Sequence, residues 1–360
     1  MAQTVFVGLS GGVDSGTSAA ILKERGYDVV GVFIKIWQPE FIECTWREDR
    51  LDAMRIAAAL SIPFREIDLS DVYKREVVDM MVQDYRRGIT PNPDILCNEK
   101  IKFGVFAKWA WEQGADLIAT GHYARTETVD GLPAQAGEAR LLRGLDPQKD
   151  QSYFLCRIDA QDLARTIFPI GDMLKSEVRK RAKDFDLPIA QKPDSQGLCF
   201  VGDVSMRDFL ARYITLVSGH VLDTQGNIIG THEGAALYTI GQRHGFTVAG
   251  NSAHDGGQYV VDISVPNNTI TVSPDRAMGE VREINLTNMH WIGEMPSLPL
   301  KTLAQARYRE AAVPVTITVS NDTITAVFDR PHLVSSGQSL ALYNVHNEYV
   351  LGSGIIERCR

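Results

Sequence analysis

The residues best suited to chemistry lie in three short stretches, and the first is VFVGLSGGVDSGTS at residues 5–18. An apolar run breaks there into glycines and serines before a helix-like segment begins. Glycines let backbone N–H groups approach an anion closely, serines add hydroxyl donors, and a helix N-terminus adds the positive end of its dipole. Asp14 has the chemistry either to cap the first helical turn or to hold Mg²⁺ beside phosphates. The pattern predicts a phosphate site built from Gly8, Leu9, Ser10, Gly11, Gly12, Val13, Asp14 and Ser15.

The same loop is compatible with other kinds of structure. Residues 8–12 match the G-x-S-x-G elbow of α/β-hydrolases, in which Ser10 would be the nucleophile. That elbow normally follows several strands, and nothing distinguishes among the candidate bases His122, His220, His232 and His244. Residues 11–17 approach a Walker A loop but lack its lysine. The simplest alternative is a glycine- and serine-rich turn that only caps a helix.

The second stretch, GITPNPDILCNEKIKFG at residues 88–104, combines a carboxylate with a thiol. We expect Cys97 to lie just ahead of a helix that begins near Asn98. A thiol at a helix N-terminus has a lowered pKa, and two following lysines would lower it further. Asp94 could move protons beside this thiol.

The third stretch, KPDSQGLCFVG at residues 192–202, places Cys199 after a polar loop that contains glycine. Loops carry functional side chains, whereas inert thiols usually lie on apolar elements, as Cys156 does in SYFLCRI. A cysteine in each of two such loops indicates thiol chemistry that Cys97 and Cys199 share.

The elements that must position these loops follow two patterns. Strand-like and helix-like segments alternate from TVFVGLS to DLIATGHY, which predicts βαβ units in a doubly wound parallel sheet with ligand loops at its carboxyl edge. After about Val217, short segments rich in Val, Ile and Thr alternate with turn signals such as PNNT and SNDT. We therefore expect an α/β catalytic domain at residues 1–204, a small β-rich central domain at 205–280 and a C-terminal β-barrel at 281–360.

Composition restricts the class of protein. A chain of 360 residues with 44% hydrophobic and 23% charged residues is typical of two or three folded domains. We expect a cytoplasmic protein without a membrane partner, because no run has the length and apolarity of a membrane helix and the N-terminus lacks a leader pattern. The net charge of −8 excludes a uniformly basic nucleic-acid binder. Five cysteines without a CxxC pair argue against a disulfide framework and a structural zinc site, so we expect no permanently bound metal ion.

Eight motifs, in this order along the chain, resemble those of the tRNA-specific 2-thiouridylase family within the PP-loop ATP pyrophosphatase superfamily. They are GLSGGVDS, TPNPDILCNEKIKF, ATGHYAR, KDQSYFL, DSQGLCF, YTIGQRHG, ARYR and SGQSLALY. The resemblance spans the chain and implies a PP-loop, HUP-like catalytic domain. It also implies ATP as co-substrate, accompanied by Mg²⁺ and bound by residues 8–15 together with Ile34 and Gly121. Ile34 stands where this family usually has methionine.

The resemblance implies roles for the thiols and the carboxylate. Cys97 corresponds to the catalytic cysteine, Cys199 to the cysteine that carries a persulfide, and Asp94 to the acid/base. ATP would adenylate the C2 oxygen of the tRNA wobble uridine and release pyrophosphate. Persulfide sulfur from Cys199 would then replace AMP, while Cys97 either forms a disulfide with Cys199 or liberates sulfide.

The partners implied are tRNAs for lysine, glutamate and glutamine and a protein that donates persulfide sulfur. A target base must leave the stack to reach such a pocket. The implied contacts with the target base or the rest of the tRNA are Asn92, Pro93, Asp94, His122, Lys149, Asp150, Gln151, Arg307, Tyr308 and Gln338. The basic residues 175–183 are either further phosphate contacts or a solvated helix face. The alternatives are an adenylating ligase for a small molecule, a serine hydrolase using Ser10 and a non-catalytic tRNA-binding protein.

Overall fold

The computed structural model describes residues 2–41, 46–127, 139–194, 204–249 and 257–357. Cys199, the predicted persulfide carrier, lies outside these residues. The first part of the chain contains seven described strands: β1 (Thr4–Gly8), β2 (Asp28–Lys35), β3 (Phe64–Asp68), β4 (Leu117–Ala119), β5 (Ala124–Glu127), β6 (Arg140–Arg143) and β7 (Thr166–Ile167).

Five of these strands form a parallel sheet in the order β3-β2-β1-β4-β7. The order runs outward from β1 to β3 and then continues on the other side of β1 with β4, so the direction of winding reverses between β1 and β4. Ligands bind at such a reversal in open α/β sheets, beyond the carboxyl ends of the strands. The predicted doubly wound parallel sheet is confirmed.

Helices cover this sheet, and two of them contain wide π-helical turns. The helices are α1 (Val13–Glu24), α2 (Trp46–Ala59), α3 (Ser70–Tyr73, Lys74–Asp79 and Met80–Arg86 without a break), α4 (Pro93–Leu96, Cys97–Phe106 and Ala107–Glu112 without a break), α5 (Ala160–Ala164), α6 (Lys175–Asp184) and α7 (Met206–Leu210). The middle segments of α3 and α4 are π-helical. Helix α1 is buried almost all round because small residues face its neighbours, and the hydroxyls of Thr17 and Ser18 donate to carbonyls one turn earlier (both 2.8 Å).

The rest of the chain is built from strands. A central sheet has the order β10-β9-β8-β12-β11, and a closed barrel follows because β13 pairs with both β16 and β18. The strands are β8 (Gly219–Leu222), β9 (Ile228–His232), β10 (Phe246–Val248), β11 (Tyr259–Ser264), β12 (Thr269–Ser273), β13 (Val281–Trp291), β14 (Leu300–Gln305), β15 (Val313–Ser320), β16 (Thr323–His332), β17 (Ser339–Tyr343) and β18 (Tyr349–Glu357). These sheets confirm the predicted β-rich second half, whereas the domain limits at 204/205 and 280/281 stay predictions.

The α/β part and the barrel share a sheet. The antiparallel hairpin β5–β6 adds to the barrel edge, where Leu141 faces Val350 and Leu142 faces Tyr349. Tyr343 and Val350 also lie in the same buried apolar cluster as side chains of the parallel sheet and α4. The parallel-sheet part and the barrel are therefore packed around one common core.

Candidate active site

The predicted phosphate loop connects β1 to α1 at the point where the strand order reverses. The Ser10 N–H donates to Ser15 Oγ (3.1 Å), the two hydroxyl oxygens lie 3.1 Å apart, and Ser15 Oγ donates to the Gly12 carbonyl (3.2 Å). Gly12 is extended and no side chain caps α1, so Asp14 does not act as the cap that we considered. Hydrogen bonds of Ser10 and Ser15 within the loop fix its shape, and the first N–H groups of α1 have no side-chain cap. A loop of this kind is suited to hold an anion.

Two glycines let other segments approach this loop closely. Gly11 has φ +74°, and a Cβ there would collide with the backbone carbonyl of Asp49. A Cβ on Gly121, which follows β4, would lie 2.7 Å from backbone atoms of Asp14 and Ser15. The structure therefore brings the predicted nucleotide residue Gly121 against the first turn of α1.

The remaining predicted nucleotide residues lie around the same edge of the sheet. Gly8 faces the side chains of Ile34 and Thr120, each 3.9 Å from where its Cβ would be, which is ordinary contact distance. The side chains of Leu9 and Val13 are buried in the apolar core. Leu9 and Val13 therefore offer a nucleotide only their backbone groups, whereas the half-buried Ile34 side chain lies at the end of β2.

Asp14 belongs to an ionic cluster at the mouth of the loop. Its carboxylate accepts hydrogen bonds from the Tyr123 hydroxyl (2.9 Å) and from Lys175 Nζ (2.7 and 2.9 Å). Lys175 Nζ also lies 2.9 Å from Asp194. Burial and the neighbouring Asp14 carboxylate raise the pKa of Tyr123, so this hydroxyl stays a donor.

Further cations surround the cluster. Lys149 and Arg179 contact Asp194 at 2.8 and 2.6 Å. Burial alone would raise the pKa of Asp194, but hydrogen bonds from Lys149 and Lys175 lower it to about 2. Lys192 donates to the Gly11 carbonyl (3.2 Å), which lies 181 residues earlier in the chain. Lys192 and Asp194 lie in the stretch that was selected for Cys199, but their ionic partners could not be predicted because those partners are set by the tertiary fold.

The thiol segment differs from its prediction. Helix α4 begins at Pro93, and Asn92 caps it by accepting a hydrogen bond from the Ile95 N–H (3.2 Å). The expectation that this helix begins near Asn98 is therefore wrong, since asparagine followed by proline already starts it. Cys97 lies in the second turn, 6% exposed, at the start of the π-helical segment. Such segments occur frequently at functional sites.

Polar contacts join helix α4 to the residues that follow β4, next to the predicted nucleotide residue Gly121. The ring of His122 lies between Thr120 Oγ1 (2.7 Å from Nδ1) and Lys102 Nζ (3.3 Å from Nε2). Burial and the Lys102 charge hold the pKa of His122 well below its usual value, so the ring is neutral, with Nε2 accepting and Nδ1 donating. Burial raises the pKa of the half-buried Asp94, while Lys102 acts in the opposite direction. The charge of Lys102 therefore lowers the pKa of both Asp94 and His122, the residue that follows Gly121.

The barrel holds the loop that precedes α4. Gln338 Nε2 donates to the carbonyls of Thr90 (2.7 Å) and Pro91 (3.1 Å), and Gln338 Oε1 accepts from Asn92 Nδ2 (3.4 Å). The Thr90 N–H donates to the Ser336 carbonyl (2.9 Å). The structure thereby brings the predicted tRNA residues Asn92 and Gln338 into direct contact.

Three other predicted tRNA residues are tied into the protein itself. The Asp150 carboxylate accepts from Arg143 (2.6 Å), and the Gln151 side chain accepts from the Tyr123 N–H (2.9 Å). Lys149 binds Asp194 beside the phosphate loop, as described above. These contacts place residues 149–151 between the predicted phosphate loop and the β5–β6 hairpin.

Arg307 and Tyr308, the remaining predicted tRNA residues, lie on the barrel side of α4. Arg307 donates to the Ile240 carbonyl (2.7 Å) and to Ser335 Oγ (2.9 Å), which links the central sheet to the barrel. The Tyr308 ring packs against the Phe154 ring with centroids 4.4 Å apart. The Phe154 carbonyl accepts from Asn98 Nδ2 (3.0 Å), so Tyr308 is one aromatic ring away from the helix that carries the thiol.

The serine hydrolase alternative finds no support in this geometry. Within the residues that the structure describes, the Ser10 hydroxyl contacts Ser15 and the Gly12 N–H, and no histidine forms a hydrogen bond with it. His122, the nearest candidate base in the chain, is bonded to Thr120 and Lys102 instead. Ser10 is positioned as a hydrogen-bonding group of the loop.

The described part of the chain contains neither a cluster of metal-ligating side chains nor a membrane-spanning helix. No group of three or more His, Cys, Asp or Glu side chains there could hold a metal ion. None of the described helices has the length and apolarity needed to span a bilayer.

Comparison with known families divides the chain into three matches. Residues 3–203 match the tRNA methyl transferase HUP domain, residues 207–274 the tRNA methyl transferase PRC-barrel domain, and residues 281–356 the aminomethyltransferase beta-barrel domain. The matches follow one another along the chain and together cover most of it.

Curated relatives match over nearly the whole length. The tRNA-specific 2-thiouridylase MnmA of Akkermansia muciniphila is 43% identical over 98% of both chains, and that of Yersinia pestis is 39% identical over 99% of this chain and 96% of the relative. The solved structure of the U34-tRNA thiolase NcsA from Methanococcus maripaludis overlaps 59% of this chain and 64% of that chain, with 17% identity and a TM-score of 0.35. That overlap is too weak to carry an argument.

Proposed function

Because the chain belongs to the tRNA-specific 2-thiouridylase family, we propose that it uses ATP to replace the C2 oxygen of the wobble uridine in tRNA with sulfur. One observation carries the proposal beyond family membership. Gly121 packs on the phosphate loop, its neighbours Thr120 and His122 are hydrogen-bonded to each other, and His122 contacts Lys102 on the helix of Cys97. This connected set of contacts supports a nucleotide site and a thiol site that act together.

ATP would bind across the loop at residues 8–15, with its phosphates on the uncapped N–H groups of α1. Gly121 allows the close approach of β4 to this loop, and Ile34 would meet the nucleoside at the end of β2. Mg²⁺ in proteins is commonly held by one or two carboxylates together with substrate phosphates. Asp14, the carboxylate in the first turn of α1, fits that donor role.

In the first step, the uridine C2 oxygen would attack the α-phosphorus of ATP, the bond to the β-phosphate would break, and pyrophosphate would leave. The product carries AMP on C2, which turns a poor leaving group into a good one. Asp94 is a suitable acid/base for the proton transfers, because its raised pKa brings it closer to neutral pH than an ordinary carboxyl.

In the second step, the terminal sulfur of a Cys199 persulfide would attack C2 and displace AMP. The Cys97 thiolate would then attack the inner sulfur, which releases 2-thiouridine and leaves a Cys97–Cys199 disulfide. In the alternative route, Cys97 would first liberate sulfide, which attacks C2 itself. Both routes oxidise the two thiols to a disulfide, so a reductant must restore them between turnovers.

We propose tRNAs for lysine, glutamate and glutamine as substrates and a persulfide-donating protein as the sulfur source. The target base would enter beside Asn92, Pro93 and Asp94. For Gln338, the two bonds to the loop backbone support a role in holding that entry loop, in place of the direct tRNA contact that the resemblance implies. Tyr308 and Phe154 offer ring faces on which an unstacked base could pack.

The decisive experiment incubates the full chain with unmodified tRNA, ATP, Mg²⁺ and a persulfide donor, followed by mass spectrometry of the nucleosides. We expect 2-thiouridine together with stoichiometric pyrophosphate. A methylated nucleoside, in line with the wording of the family models, or pyrophosphate release with a small-molecule acceptor alone, would favour a different activity. The proposal fails when no 2-thiouridine forms although Cys199 has become persulfidated.

Two cysteine variants test the order of the steps. Cys199→Ala should abolish thiolation yet retain tRNA-dependent pyrophosphate release, because adenylation precedes sulfur transfer. Cys156→Ala is the matched control, since this buried cysteine lies in the apolar core and should keep both activities. Loss of pyrophosphate release in Cys199→Ala would mean that adenylation requires this residue.

A further inference from the structure

The phosphate loop lacks a cation of its own. Residues 8–15 contain no lysine or arginine, and Thr17 stands where a Walker A loop carries its lysine, just before the hydroxyl residue Ser18. Cleavage between the α- and β-phosphates develops negative charge on the departing pyrophosphate, and a fixed positive charge beside it stabilises the transition state. If ATP is cleaved here, any protein cation that acts on the phosphates beside Mg²⁺ comes from another segment of the fold.

Lys175 is the cation that reaches the first turn of α1. It opens helix α6, its side chain is 13% exposed, and Nζ lies 2.7 and 2.9 Å from the two carboxylate oxygens of Asp14. Nζ also lies 2.9 Å from Asp194 and 5.8 Å from the centre of the Tyr123 ring. Its ammonium group is therefore held at the mouth of the loop by two carboxylates and an aromatic face.

The neighbouring cations are placed differently. Within the described residues, Lys149 and Arg179 pair with Asp194 rather than with the loop. Lys192 Nζ is bound by the Gly11 carbonyl and by the carboxylates of Asp49 (2.9 Å) and Asp52 (2.8 Å), on the α2 side of the loop. Among the described residues, Lys175 is thus the cation that contacts a side chain of the α1 first turn, whose N–H groups no side chain caps.

We propose that Lys175 supplies the positive charge for the β- and γ-phosphates of ATP, from a helix that begins 160 residues after the loop. The inference rests on the proposed use of ATP by this site. With nucleotide bound, Asp14 would turn to Mg²⁺, and Nζ would exchange its bonds to Asp14 for bonds to phosphate oxygens. Asp194 holds the ammonium group at the same place in both states.

The test measures the equilibrium affinity of the full chain for Mg²⁺-ATP and for AMP. In Lys175→Met we expect ATP to bind about 10- to 100-fold more weakly, the effect of losing a charge-assisted hydrogen bond. AMP, which lacks the β- and γ-phosphates, should bind as in the wild type. The rate of tRNA-dependent pyrophosphate release should fall by about 10²- to 10³-fold. Lys175→Arg keeps the charge and should bind ATP more tightly than Lys175→Met.

Lys180→Met is the matched control, because Lys180 lies exposed on the same helix and its loss removes the same net charge. We expect it to bind ATP as the wild type does. The proposal is overturned if Lys175→Met binds ATP like Lys180→Met, or if it loses AMP and ATP affinity equally, which would indicate a purely structural tether.

If Lys175→Met does not fold, a second variant, Asp194→Asn, tests the role of Lys175. Asp194→Asn removes a negative charge from beside Nζ but keeps a side-chain oxygen that accepts from Nζ, so Lys175 stays in place and we expect tighter ATP binding. Weaker ATP binding would overturn the proposal. Failure of the thiolation proposal is distinguishable, because it appears as wild-type protein that binds ATP but forms no 2-thiouridine, whereas the role of Lys175 is decided by nucleotide affinity alone.

Discussion

Replacing Gln338 with methionine tests whether the barrel positions the entry loop of the site. Gln338 donates two hydrogen bonds, of 2.7 and 3.1 Å, to the carbonyls of Thr90 and Pro91, just before the helix that carries Cys97. Methionine keeps the length of the side chain but cannot donate. A neutral hydrogen bond contributes about 0.5–1.5 kcal/mol net, so the ordered loop loses about 1–3 kcal/mol. At about 1.4 kcal/mol per factor of ten, its population relative to other conformations falls about 5- to 150-fold.

The assay compares the rate of 2-thiouridine formation with the equilibrium affinity for tRNA in the absence of ATP. We expect the Gln338→Met rate to fall by up to the factor above, while tRNA affinity changes less than about twofold. Gln225→Met, on an exposed turn of the central sheet, is the matched control and should alter neither quantity. Loss of tRNA affinity by the full factor with an unchanged kcat would refute the positioning argument and leave Gln338 as a direct tRNA contact.

Three further predictions follow from single contacts. Gly121→Ala places a methyl group 2.7 Å from the backbone of the α1 first turn, so ATP affinity measured by calorimetry should fall about tenfold or more, and normal affinity would contradict the close approach. Lys102→Met removes a charge that lowers the pKa of Asp94, so the limb of the pH–rate profile that reports this carboxyl should move to higher pH; a move to lower pH would reverse the assignment. Burial raises the pKa of Cys156 to about 11, so an alkylating reagent at neutral pH should spare this thiol in peptide mass spectra, and its rapid labelling in the folded protein would disprove that.

Local patterns were sufficient for most of the fold. Alternating strand and helix segments predicted the parallel sheet, and turn signals predicted the hairpins of the β-rich half. In SNDT, Asn321 and Asp322 have φ values of 48° and 61°, the left-handed pair that a tight hairpin between β15 and β16 requires. These elements were predictable because each depends on residues that are neighbours in sequence.

The hairpin β5–β6 could not be assigned to its sheet in the same way. Its partner strand β18 lies at the other end of the chain, and the pairing of Leu141 with Val350 has no local signal. Register between distant strands is decided by which apolar faces can be buried together, which is a property of the assembled core.

The loops of the candidate site could be predicted from the sequence, whereas its ion pairs could not. The phosphate loop, Gly121 and the segment around Cys97 could be predicted because few kinds of structure need their residue types in that order. The start of α4 was misplaced although a signal existed, because asparagine, proline and aspartate in succession are typical of a cap, a first helical residue and an acidic first turn. Lys175 was visible only as part of a basic stretch, since its pairing with Asp14 spans 161 residues.

The strand exchange between the two halves has a consequence for synthesis of the protein on the ribosome. Strand β6 emerges early, but its partner β18 follows roughly 200 residues later, which takes about 10–40 s at ordinary rates of translation. During that interval one edge of the β5–β6 hairpin has no native partner, and an open edge is a template for pairing with other nascent chains. A chain that stops before β18 would leave that edge open permanently, so the first half of the protein depends on the last strand of the barrel to close its hairpin edge.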